Sequence, residues 1–232
     1  GKKIPGYIGI KAPHLFPLEE RRKAIPIDQL FIDVGAESEE EVRDLGIREG
    51  CFAVFATKRA CDQVSISIAY PRLNVKIPGS YPGLPTGKAG ATHQSVQDLA
   101  IMRAMPNMRV IDPGDNTELR QVMRAVVDYD GPVYFRVTRA AVPKIAWPEG
   151  YEFQWGKAVT LREGGDVSLL GTGFMASYCL EAAELLAKEG IKARVDHHPC
   201  LKPIDRDAIA AAARETGAIV TAENHSIIGG LG

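Results

Sequence analysis

What most constrains the fold of this chain is the alternation of short apolar strands with amphipathic helices from residue 51 onward, joined by brief connections. A strand–helix–strand unit of that kind lays its second strand parallel to the first and wraps the helix over the sheet. The pattern predicts a helix over 52–69 stopped by Pro71, a strand over 74–77 and a Gly/Pro-rich loop over 78–90. A helix over 94–105 ends at Pro106, a strand covers 108–111, Asp115 caps a helix to about Tyr129, and a strand covers 132–137. Pro143, Pro148 and Gly150 make 140–156 a linker. The alternation then resumes, with strands at 167–170, 193–195 and 218–222 and helices at 176–189 and 205–216.

Residues 1–50 read differently. Short segments punctuated by Pro and Gly lead to a strand over 26–34, and Ser38 with Glu41 forms a capping box for a short helix over 39–45. The expected fold is α/β: a partial parallel-sheet domain at 51–142, a Rossmann-like C-terminal domain at 143–232, and a short β-rich N-terminal segment at 1–50.

Composition narrows the function classes. With 45 % hydrophobic and 25 % charged residues in 232, the chain is an ordinary globular protein of one to two domains. A net charge of −1, without a basic stripe, offers no field for nucleic acid or a membrane surface. No apolar run approaches the roughly 18 residues of a membrane span, and the start has no signal-peptide core. Cys51, Cys61, Cys179 and Cys200 show no CxxC spacing and lie in apolar stretches, so buried reduced thiols and a cytoplasmic location are expected.

Several motifs carry a chemical and a structural reading. Gly171-Thr172-Gly173-Phe174-Met175-Ala176 follows a strand and opens a helix, with Asp196 beyond, close to a dinucleotide fingerprint. Phe174 would crowd a pyrophosphate, which favours a plain strand-to-helix turn. Gly83 to Lys88 imitates a phosphate loop but has Pro82 where glycine is needed and Ala89 where Ser or Thr is needed. Asp196-His197-His198 uses metal-ligand residue types, yet adjacent strand residues face opposite ways, so a surface loop is expected and no residue is assigned to a metal. His14 reads as structural. His225 could approach an active site or serve as a hydrogen-bonded structural residue. His93, reached by a Gly-bracketed loop ahead of a helix, is placed for substrate contact or proton transfer.

Phe52-Ala53-Val54-Phe55, Gly90-Ala91-Thr92-His93-Gln94, Phe135-Arg136-Val137-Thr138-Arg139 and Thr221-Ala222-Glu223-Asn224-His225-Ser226 together resemble the C-terminal half of the transketolases, from about residue 51 to 232. The resemblance implies a pyrimidine-type domain, thiamine diphosphate with Mg²⁺, and two-carbon ketol transfer between sugar phosphates. It implies that Phe52 and Phe55 bind the cofactor's aminopyrimidine, that His93 is catalytic and that Arg139 binds the substrate's phosphate. The sequence departs from the family at Lys88 and Ala89, where acidic residues are usual, and at Tyr81, where a phosphate-assisting histidine is usual. The family's activating glutamate, in an Ile-Ala-Glu-Gln stretch, and its Mg²⁺–diphosphate module are not found before Phe52. A partner is therefore expected, either an N-terminal transketolase-type subunit or a second protomer in an oligomer, and the isolated chain is expected to be inactive.

Residues 1–57, including Gly6-Tyr7-Ile8-Gly9-Ile10-Lys11-Ala12-Pro13-His14 and Asp28 to Ala36, resemble the PDZ-like domain of the tetrahedral, dinuclear-metal aminopeptidases without its metal ligands. The two resemblances overlap at 52–57, so a chimera of two fragments is expected. A metallo-aminopeptidase fragment and a non-catalytic remnant are the alternatives.

Overall fold

A computed structural model describes residues 51–85, 90, 93–139 and 141–232, together with the backbone of four short strands in the first fifty. Those four are β1 (Ile4–Pro5), β2 (Tyr7–Gly9), β3 (Phe31–Asp33) and β4 (Ile47–Arg48). β1 pairs with β4 in parallel, and β2 pairs with β3 antiparallel. The helix expected over 39–45 lies outside the described residues, as does His14.

The first large sheet has the order β12-β7-β8-β6-β5. It contains β5 (Cys51–Phe52), β6 (Lys76–Ser80), β7 (Arg109–Ile111), β8 (Val133–Val137) and β12 (Cys200–Lys202). β5, β6, β8 and β7 run parallel, and β12 closes the edge antiparallel to β7. Among the described residues, three helices cover it: α1 (Cys61–Val64), flanked by π-helical turns Phe55–Arg59 and Ser65–Ala69, then α2 (Asp98–Ala104) and α3 (Asn116–Asp128). The second sheet, in the order β13-β10-β11-β9, is built from β9 (Val159–Arg162), β10 (Val167–Gly171), β11 (Ala193–His197) and β13 (Ile219–Ala222). Helices α4 (Met175–Lys188) and α5 (Arg206–Glu215) accompany it.

Local chemistry accounts for the helix ends. Asp115 accepts the Glu118 N–H at 3.0 Å to start α3, and Asp205 accepts the Ala208 N–H at 3.2 Å to start α5. Two elements differ from expectation. Phe52 lies in a strand, in register with Ser80 of β6, rather than opening a helix. α2 begins at Asp98, not Gln94. The intervening residues are held in a turn by the Pro82–Ser95 bridge and by the Gly83 N–H donating to the Ser95 carbonyl at 2.7 Å.

Period-two alternation divides the first core. Val133 and Phe135 pack with Ile111, Val122, Met123 and Val126 on the α3 side. Tyr134 faces the other way, with Leu99, Met102, Val110 and Val64. β12 comes from beyond the linker, yet it is part of this core: Cys200 joins the α3 side and Leu201 the α2 side. Lys202 donates to the carbonyls of Arg103, at 2.8 Å, and Met105, neutralising the C-terminal end of α2. The second domain's core is smaller and centres on Leu169, Cys179, Ala183, Ala193 and Val195.

The Gly171–Ala176 turn settles against the first domain. Gly173 has φ +57° and donates to the Asp112 carbonyl at 3.1 Å, and a Cβ there would stand 2.6 Å from the Asp112 carboxylate. That crowding leaves a packed turn and no room for a pyrophosphate.

Candidate active site at the C-terminal edge of the first sheet

Three adjacent parallel strands end level with one another, since Phe52 pairs with Ser80 and Ser80 pairs with Val137. The residues at or just beyond those ends are Phe52, Tyr81 and Arg139. The carboxyl edge of a parallel sheet is where α/β proteins bind ligands, because strand ends and helix starts leave polar groups uncovered there. Phe52 and Phe55 meet edge to face at 5.7 Å between ring centres, and the Tyr81 ring lies 4.8 Å from Phe52. His93 stands edge-on to Phe52 at 5.0 Å and lies 6.0 Å from Phe55. The guanidinium of Arg139 sits over Tyr81 at 5.0 Å, and that of Arg59 over Phe55 at 4.5 Å. The four rings are half-buried, whereas Arg139 is exposed. Phe52, Phe55, His93 and Arg139, separated in sequence, thus share one cluster, and Tyr81 joins them.

Tyr81 stands out in the sequence only as a departure from the family pattern. Its φ is +61°, an uncommon and strained conformation for a bulky residue, and its N–H donates to the Val137 carbonyl at 3.1 Å. Such strain gathers where surroundings enforce it, and no residue pattern announces it.

Beneath the cluster lies a fully buried charge network. Arg136 gives Asp98 two hydrogen bonds, from Nε at 2.8 Å and from a terminal nitrogen at 2.7 Å. Its other terminal nitrogen reaches Asp112 at 3.2 Å and the Asn224 carbonyl at 3.2 Å. Tyr134 donates its hydroxyl to Asp98 at 2.6 Å. Burial alone would raise the Asp98 carboxyl, but the charge and hydrogen bonds of Arg136 outweigh it and hold Asp98 below the usual range. Asp112 keeps only the longer contact, and burial pushes it up. Burial and the adjacent Asp98 also raise Tyr134, so its hydroxyl stays a donor.

Asp196-His197-His198 is a correction: all three side chains are buried, not on a surface loop. His197 Nε2 lies 2.8 Å from Glu118 Oε2, which also accepts the Gly114 N–H at 2.6 Å, and Tyr151 donates to Glu118 Oε1 at 2.5 Å. Asp196 instead accepts from Arg194 Nε at 2.8 Å, on the opposite face of β11. The opposed directions expected from the sequence hold, but both faces are covered. Among the described residues no group of three or more His, Cys, Asp or Glu side chains could hold a metal. His225 is held by hydrogen bonds, the Ala100 N–H donating to its Nε2 at 3.4 Å and its Nδ1 lying 2.6 Å from the Ser226 carbonyl. No helix among the described residues is long and apolar enough to cross a membrane.

Fold and site together define an α/β protein with paired parallel-sheet domains and an aromatic, arginine-flanked site on the carboxyl edge of the first. Residues 32–144 match the transketolase pyrimidine-binding domain and residues 156–232 the transketolase C-terminal domain. The chain belongs to the transketolase family. It is 49 % identical over 181 residues to a 6-deoxy-6-sulfo-D-fructose transketolase subunit of Clostridium sp. (strain MSTE9), covering 78 % of this chain and 56 % of that protein. It is 42 % identical over 180 residues to an apulose-4-phosphate transketolase subunit of Phocaeicola vulgatus, covering 78 % and 58 %. Among solved structures it resembles a split-gene transketolase described as an inactive beta4 tetramer, with 44 % identity and a TM-score of 0.73 over 81 % of this chain and 61 % of that one. The chain thus spans a little over half the length of these curated relatives. The pyrimidine-domain match begins at residue 32, inside the stretch 1–57 that resembles the aminopeptidases, and the comparisons give that second resemblance no support.

Proposed function

We propose that this chain is a transketolase-type subunit that, with a partner carrying the diphosphate-binding half, transfers a two-carbon ketol unit between sugar phosphates. The observation that carries this reading is the convergence of Phe52, Phe55, His93 and Arg139 on one strand-end cluster, where a flat cofactor ring and an anionic sugar could both be held. It is supported by relatives that are themselves transketolase subunits.

The residues present fit one end of thiamine diphosphate. Two half-buried phenylalanines at an interplanar angle of 80° offer apolar surface to a flat heterocycle while its polar edge stays accessible. No cluster of three or more His, Cys, Asp or Glu side chains that could hold Mg²⁺ is present among the described residues, and we assign the metal and the diphosphate to the partner. When bound, the cofactor supplies the nucleophilic carbon for attack on a ketose carbonyl. Phe52 and Phe55 orient the ring, His93 moves a proton at the sugar's reacting end, and Arg139 holds the anion at its far end. Tyr81, Lys88 and Ala89 replace residues usual in the family, so the donor or acceptor need not be one of the ordinary pentose and hexose phosphates. The relatives named for a sulfo-sugar and for apulose 4-phosphate are in keeping with that.

This reading uses residues 51–232 and holds whether or not the first fifty were joined from another gene. It needs no aminopeptidase activity. Cys179 and Cys200 are buried free thiols, pushed up to about 11 and about 12 by burial, which suits a reducing compartment, and we place the chain in the cytoplasm. The test is a ketol-transfer assay with thiamine diphosphate and Mg²⁺, using the chain alone and then the chain with its diphosphate-binding partner. Transfer only in the second supports the reading. Transfer by the chain alone, or by neither preparation, refutes it.

A further inference from the structure

We propose that Asn224, in the C-terminal domain, is a positioning residue for the aromatic site because it holds the turn that carries Tyr81. Its consequence for turnover rests on the function proposed above, whereas its hold on Tyr81 stands without it.

Tyr81 leaves β6 in a left-handed conformation that a bulky side chain keeps only when the residues after it are fixed from outside. Its own N–H is tied to the end of β8, and the turn that follows is held on one side by Ser95, which accepts the Gly83 N–H at 2.7 Å, and by Gln94, which donates to the Leu84 carbonyl at 3.3 Å, and on the other side by the C-terminal domain. Leu84 donates its N–H to Asn224 Oδ1 at 3.0 Å, and Asn224 Nδ2 donates to the Pro82 carbonyl at 3.4 Å. One amide side chain therefore uses both ends on a single turn, some 140 residues away in sequence. Gly83 lies between those two anchors with φ +68°, and a methyl group there would overlap the Asn224 amide, so the approach has no slack.

Asn224 is itself held. It is only 8 % exposed, and its backbone carbonyl accepts from Arg136, the residue that Asp98 locks with two hydrogen bonds. Arg136 lies on β8, the strand that leads to Arg139. Ser226 donates to the Val96 carbonyl at 3.0 Å, and Arg103 donates to the Gly229 carbonyl at 2.9 Å, clasping the same segment to the entry and exit of α2. The side chain of Asn224 thus fixes the Tyr81 turn while its backbone is joined to the strand that presents Arg139. Through one residue the C-terminal domain sets the spacing between two parts of a site that lies wholly in the other domain.

The test uses the full chain with 3-fluorotyrosine in place of tyrosine, the Tyr81 signal being assigned by its loss in Tyr81→Phe. Asn224→Ala is expected to move the Tyr81 ¹⁹F signal toward the unfolded position while those of Tyr134 and Tyr151 stay in place. Gly83→Ala, with Asn224 intact, is expected to move the same signal by forcing the turn away. Because the methyl no longer meets an amide when Asn224 is alanine, the two substitutions together should move it by less than their sum. In the reconstituted complex, Asn224→Ala is expected to raise KM for the ketose phosphate by about tenfold, with a smaller change in kcat, as a displaced anion-side contact would. A Tyr81 signal unmoved in a folded Asn224→Ala or Gly83→Ala chain, or additive shifts in the double variant, overturns the positioning role. A wild-type complex without transfer overturns the function instead, and leaves the ¹⁹F result to decide for Asn224.

Discussion

The guanidinium of Arg139 lies 5.0 Å from the centre of the Tyr81 ring, and that ring packs against Phe52, so the exposed cation is joined to the aromatic cluster by a single side chain. A guanidinium so placed keeps its flat fork free for an oxyanion while its face rests on an aromatic ring. A charge-assisted hydrogen bond contributes roughly 1.5–3 kcal/mol. Arg139→Ala in a reconstituted complex is therefore expected to lower kcat/KM for a phosphorylated sugar by about ten- to a hundredfold and leave cofactor affinity unchanged. Arg139→Lys keeps the charge and loses the fork, and should fall between. Steady-state kinetics at constant ionic strength measure this; an alanine variant with wild-type kcat/KM would end the assignment.

Arg136 and Asp98 make a second, harder prediction. Removing the arginine would strand two buried carboxylates, and breaking a buried pair from one side costs about 3–5 kcal/mol. Arg136→Met should therefore be severely destabilised. Asp98→Asn should cost more than Asp112→Asn, because Asp98 holds two short bonds to the guanidinium and Asp112 holds a single contact at 3.2 Å. Urea denaturation of the two asparagine variants at neutral pH gives the comparison, and equal midpoints would contradict the unequal sharing.

Much of this is legible in the sequence, for identifiable reasons. α3 and α5 follow from Asp115 and Asp205, whose caps depend on residues three positions away and are written locally. The clustering of Phe52, His93 and Arg139 follows from parallel topology, which aligns strand ends whatever lies between them. β12 is not legible: Cys200 to Lys202 follow two buried histidines and read as loop, and only the open edge of β7 makes a strand of them. Nor is the burial of His197 and His198, because the strand pattern gives the direction of each side chain and not what covers it. Arg136 sits in the same short motif as Arg139, yet one is enclosed and the other exposed. That difference is set by α2, whose Asp98 faces β8.

Leu201 tests the shared edge. It belongs by sequence to the C-terminal domain but packs with Leu99, Met102, Val110 and Tyr134. Replacing a buried leucine by alanine costs about 2–5 kcal/mol. Leu201→Ala is expected to reduce amide protection in β7 and β8 as much as in β10 and β11, as the two domains open together. Hydrogen exchange read by mass spectrometry would show it, and loss confined to β10 and β11 would mean that β12 carries no coupling.

His198 gives the clearest dependence on pH. Its ring is buried, neither nitrogen has a hydrogen-bond partner among the described residues, and burial lowers its pKa to about 4 against the opposing pull of Asp196. The native state therefore keeps it neutral down to about pH 4, while the unfolded chain takes up a proton near 6.5. Between those values the unfolded state binds more protons, so stability falls as pH drops through that window and is flat above it. The lowered pKa values of Asp98 and Asp205 act only below the ordinary carboxylate value of 3.8. The raised pKa of Asp112 works in the opposite direction, so the His198 contribution is read against a variant and not from the wild-type slope. A His198→Leu variant isolates it: an apolar side chain replaces one whose polar atoms are unpaired, and the titrating group is gone. Wild-type stability relative to the variant is expected to fall by about 2 kcal/mol between pH 7 and pH 5, read from urea midpoints at both values. Parallel slopes for the two proteins would mean that His198 is protonated alike in the folded and unfolded states.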